Sequence, residues 1–120
     1  MGVLQISRAA QTDQIAAVGL RAHGVDVSPK AYTSTGHADL GCALVTRPGR
    51  DPRWGVVAVE EAGAEGLATG RACALADLFA TEYRRPRSAI RADTAVVEFT
   101  GPATARVLYR QDVRAGDTAS

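Results

Sequence analysis

Residues 38–61 read ADLGCALVTRPGRDPRWGVVAVEE, and the fold turns on how this stretch is read. Two apolar runs, 42–46 and 54–59, flank the segment RPGRDPR at 47–53. Pro-Gly and Asp-Pro are turn dipeptides, because proline fixes φ and glycine tolerates positive φ. Strand, turn and strand together predict an antiparallel hairpin. Folding it about Gly49 and Arg50 sets Asp39 beside Glu60 or Glu61 at the open end. That carboxylate pair is the constellation in the chain suited to a divalent metal ion.

Outward from the hairpin, each flank offers a helix. Upstream, Ser7 or Thr12 is a candidate cap for a helix running to about His23. Ile15, Val18, Gly19 and Ala22 fall at i, i+3, i+4 and i+7 and predict its buried face. Gly24 follows as the expected left-handed terminator. Residues 3–6, VLQI, read as a short strand or a helix lead-in ahead of it. Between this helix and the hairpin lies the longest polar loop, residues 28–37, ending in His37. A loop of this kind is where binding groups collect.

Downstream, Thr69 is a candidate cap for a stronger helix over residues 70–84. Ala68, Ala72, Leu75, Phe79 and Tyr83 form its expected buried stripe, with Arg71 and Asp77 off that face. Pro86 stops it. Residues 94–100 then alternate, with Ala95, Val97 and Phe99 on one side. Gly101-Pro102 turns the chain and 105–109 returns it as a second hairpin. The expectation is a single α+β domain over residues 1–112, followed by a polar tail at 113–120. Its sheet is mainly antiparallel, with four to six strands and two principal helices in the order β-α-β-β-β-α-β-β.

Composition narrows the function. A chain of 120 residues that is 46% hydrophobic and 22% charged has the balance of an ordinary globular domain. A net charge of +1 disfavours nucleic-acid binding through bulk electrostatics. Two cysteines, Cys42 and Cys73, do not make a disulfide scaffold and fit buried thiols in a reducing compartment. No apolar run reaches membrane-spanning length, so the expected setting is cytoplasmic, without a membrane partner. The Ala, Gly and Arg bias is a bacterial one.

Candidate chemistry is sparse. The order helix, strand, ADL, then VVAVE on the next strand, then helix and strand resembles the restriction-endonuclease-like nuclease fold, over residues 12–99. The resemblance implies Asp39 and Glu60 as acidic ligands of magnesium or manganese, with nucleic acid as substrate. That family's lysine position falls here on Ala62, and no lysine follows Lys30. The segment GRACALAD at 70–77, with the strands after it, looks like the central helix of hot-dog-fold acyl-CoA thioesterases. That resemblance implies Asp77 as the residue supporting thioester hydrolysis. His37, Asp39, Cys42 and Cys73 match no zinc-ligand spacing. Arg84, Arg85 and Arg87, with Arg91, form a basic cluster able to grip an anion, and His37 joins the binding candidates. With no phosphate loop, nucleophile elbow or complete catalytic set, the expected function is a small binding or interaction domain that forms homo-oligomers.

Overall fold

The computed structural model describes residues 8–114. Helix α1 (Arg8–Ala22) leads to a two-residue strand β1 (Tyr32–Thr33) and the hairpin strands β2 (Cys42–Thr46) and β3 (Trp54–Glu61). Helix α2 (Glu65–Glu82) follows, then β4 (Ile90–Gly101) and β5 (Thr104–Arg110). The five strands lie in the order β1-β2-β3-β4-β5. The expected strand at residues 3–6 and the tail beyond Arg114 lie outside the described residues.

Three of the four strand pairings are antiparallel, and the central one, β3 with β4, is parallel. The length of α2 accounts for this. Eighteen helical residues rise roughly 27 Å. Eight strand residues span roughly 26 Å. The helix therefore carries the chain back to the level where β3 began, and Trp54 pairs with Ile90.

The centre of the sheet is buried on both faces, which explains why β3 reads as a continuous apolar run rather than an alternating one. Val56 and Ala58 face α2, in one core with Ala43, Val45, Leu75, Phe79 and Ile90. Val57 and Val59 face α1, in a second core with Ala16, Leu20, Leu44, Ala95 and Val97. The molecule is thus a three-layer α+β sandwich.

Several boundaries differ from the sequence expectation. Helix α2 starts at Glu65, not beside Thr69; the Glu65 carboxylate accepts the Gly63 amide and favours the positive helix end. Its buried stripe includes Ala76 and Ala80, whereas Tyr83 is 56% exposed. In α1 the buried residues are Thr12, Ala16, Ala17 and Leu20, and Val18 is 65% exposed. The buried face of α1 is thus rotated from the expected one, with Ala16, Ala17 and Leu20 against the sheet and Ile15 at its margin. Gly24 does end α1, with φ +84°.

Residues 38–40 form a 3-10 turn rather than the start of a strand, closed by the Gly41 amide on the Ala38 carbonyl. Gly41 takes φ +70°, which disfavours residues with a side chain and breaks the extended run. Strand β4 begins at Ile90, four residues earlier than its alternation suggests. Beyond β5 the chain stays packed through Val113, which is buried and donates its amide to the Ala92 carbonyl.

Candidate functional site

The carboxylates that the sequence singles out are already engaged. Glu60 accepts Arg71 Nε at 2.9 Å. The same guanidinium binds the carbonyls of Leu40, Cys42 and Val59. Arg71, expected off the buried face, thus reaches over the sheet end and ties the 3-10 turn to β2 and β3. Asp39 lies in that turn, off the strand. Among the described residues no group of three or more His, Cys, Asp or Glu side chains is placed to hold a metal ion. The acidic neighbour of this end is Asp13 on α1, which accepts the Cys42 thiol at 3.0 Å. Burial pushes the Asp13 carboxyl up from its ordinary value. Burial, then Asp13, pushes the Cys42 thiol up to about 11. Cys73 lies on the other side of the sheet, against the α2 core, so the two thiols are separated.

Asp77 is on the outer face of α2, and Arg87 Nε donates to it at 2.6 Å. Arg87 also donates to the Ile90 carbonyl, pinning the start of β4. Arg91 leaves the basic cluster altogether. It is 5% exposed and pairs with Asp93, which is fully buried. Burial works against the Arg91 charge, but the bonds and charge of Asp93 outweigh it and the guanidinium pKa rises. Tyr109 and the Asp112 amide complete the shell of Asp93, and Asp51 that of Arg91. Arg84 takes φ +53° at the end of α2.

Arg85 does reach a cavity. It lines a recess of about 220 Å³ with Lys30, Tyr32, Trp54, Phe79 and Tyr83. Four of the chain's six aromatic residues meet there. Phe79 and Tyr83 lie one helical turn apart with ring centres at 4.5 Å, and Tyr32 meets Phe79 edge to face at 5.1 Å. Trp54 comes from the first position of β3, with its ring centre 6.5 Å from that of Phe79.

Glu82 holds this wall together. Its carboxylate accepts Tyr32 Oη at 2.8 Å and Ser34 Oγ at 2.7 Å, latching the polar loop onto α2. Those two hydroxyls hold the Glu82 carboxyl below its ordinary value. Burial, together with the Glu82 charge, pushes the Tyr32 phenol up to about 12, so it remains a donor. His37 sits behind this latch, with Nδ1 3.2 Å from both Ser34 Oγ and the Thr35 carbonyl. Ser34 is 2% exposed, so the Ser-His-Glu grouping is a structural clasp rather than a nucleophile.

The basic candidates are therefore divided: Arg85 lines the aromatic recess, Arg87 is spent on Asp77, and Arg84 serves the helix end. Sequence reasoning missed the recess because its walls come from four separate elements. The i, i+4 spacing of Phe79 and Tyr83 was its visible trace. Compared with known proteins, the chain matches no protein-family model, no curated protein and no solved structure.

Proposed function

We propose that the protein is a small binding domain whose recess takes a planar carboxylate, such as a benzoate or phenylacetate. The observation that carries this is an aromatic wall bordered by two cations without acidic partners. Neither Lys30 nor Arg85 forms an ion pair or a side-chain hydrogen bond among the described residues. No acidic side chain lines the recess. Arginine favours carboxylates through its fork of donors, and the aromatic edges favour a stacked ring. The volume lies below the roughly 300–1,000 Å³ of pockets for drug-sized ligands, so a single substituted ring suits it and a nucleotide does not. The enzyme alternatives draw no support from these placements, since Glu60 is held by Arg71 and Asp77 by Arg87.

Trp54 is the only tryptophan, so its fluorescence reports on the recess directly. Titration with benzoate is expected to give a saturable change, with a much weaker one for benzamide and for acetate. Arg85→Ala is expected to weaken benzoate about tenfold, which corresponds to ~1.4 kcal/mol. An equal response to benzamide, or no saturable response to any aromatic carboxylate, would overturn the proposal.

A further inference from the structure

A larger cavity lies elsewhere, and no ionisable residue lines it. It is a groove of about 580 Å³ between α1 and the β4–β5 hairpin, bordered by Ile15, Val18, Phe99, Ala105 and Val107. It runs beside β5, which among the described residues pairs only with β4 and leaves its other edge without a strand. An unpaired edge offers its amides and carbonyls to another strand unless proline, a bulge or inward charge blocks it. Residues 104–110, TARVLYR, contain no proline, and their arginines lie on the α2 side rather than in the groove.

We infer that the occupant of this edge is β5 of a second copy, joined about a two-fold axis into one ten-stranded sheet. Overlap and charge together select the register. A two-fold axis perpendicular to the sheet must pass through one residue of β5 paired with itself. Centred on Val107, the pairing uses all seven residues of the strand. Arg106 then faces Leu108 of the second copy, and Arg110 faces Thr104. Centring on Arg106 sets that arginine against itself, and centring on Leu108 sets Arg106 against Arg110. Like charges directly opposite destabilise a strand pair, so of these three registers the one of full overlap is also the one free of repulsion.

The flanking surfaces agree. On the groove side Val107 meets Val107 and Ala105 meets Tyr109, a pairing of small with large. Gly19 of α1 approaches Val107 so closely that a Cβ there would lie 2.8 Å from Val107 Cγ2. The C-terminal half of α1 therefore sits beside the axis, where Val18, 65% exposed, gains cover. On the opposite side Leu108, 45% exposed, gains a neighbour as well. Arg106 Nη2 donates to Glu98 Oε1 of β4 at 2.7 Å, in a pair open to solvent.

The test is a charge series at Leu108, read as molar mass by light scattering on a sizing column. The wild-type chain is expected to run as a dimer. Leu108→Arg sets arginine against Arg106 twice per dimer and is expected to give a monomer. Leu108→Glu sets opposite charges together and is expected to keep the dimer, which also shows that position 108 tolerates a charged side chain. A monomeric wild type would overturn the inference and leave the edge to a strand from another protein. A dimer indifferent to Leu108→Arg, or lost equally in both variants, would overturn the register and the interface with it.

Discussion

At the scale of single residues, the ionisable groups sort into those spent on holding the chain together and those left free. Asp93 is the clearest of the first kind. It is fully buried and takes bonds from Arg91, Tyr109 and the Asp112 amide. Gly55 makes room for this network, because a Cβ there would collide with Thr46 Oγ1 and crowd Arg91 and Asp93. Asp93→Ala leaves the buried guanidinium with only the partly exposed Asp51 as counter-charge and is expected to cost about 3 kcal/mol, read as a large fall in thermal midpoint. A fall of only a degree or two would show the pair to be dispensable.

Cys42 illustrates tuning at the same scale. With its pKa pushed up to about 11, its folded state favours the thiol, so the associated stability is present below the ordinary thiol range and is lost as pH rises toward 11. In a Cys73→Ser background, alkylation near neutral pH is expected to be about a hundredfold slower than that of a free thiol. Asp13→Asn should speed it, because the raising effect of the carboxylate is gone. A rate unchanged by that substitution would assign the whole shift to burial.

At the scale of elements, α2 organises both the fold and the recess. Its end is a Schellman turn: the Arg85 backbone amide donates to the Ala80 carbonyl and the Arg84 amide to that of Thr81. The left-handed position falls to Arg84, at φ +53°, where glycine is the usual occupant. Arg84→Gly is expected to stabilise by about 1 kcal/mol, raising the thermal midpoint by several degrees. A lower midpoint would mean that the arginine side chain contributes more than its backbone costs. The same element shows what sequence makes legible. Both hairpins and the existence of both helices follow from turn dipeptides and periodicity. The early start of α2 does not, because a glutamate accepting the amide two residues before it is a quieter signal than a threonine cap. Nor does the tilt of its buried face, set by the alanines that let it approach the sheet.

At the scale of the whole molecule, the sandwich places α1 and α2 on opposite faces and gives the protein two unlike surfaces. The α2 side carries the aromatic recess, and the α1 side carries the neutral groove beside β5. No helix among the described residues is long and apolar enough to cross a membrane. The α+β class and the mainly antiparallel sheet were readable from the order of elements. The parallel pairing of β3 with β4 is a matter of matched lengths, which a list of elements does not display. The recess was hidden for a related reason: Tyr32, Trp54 and Phe79 are distant in sequence and meet only when the sheet is assembled. Asp39 and Glu60 looked paired because the hairpin was extended past Gly41, where the chain leaves the strand.

The central claim is that the recess between the polar loop and α2 binds a planar carboxylate. The most direct measurement is a two-dimensional amide NMR spectrum recorded while benzoate is added. The account predicts saturable shifts confined to the neighbourhoods of Lys30, Tyr32, Trp54, Phe79, Tyr83 and Arg85. Shifts that saturate instead around Val18, Phe99 and Val107, or none that saturate at all, would contradict it.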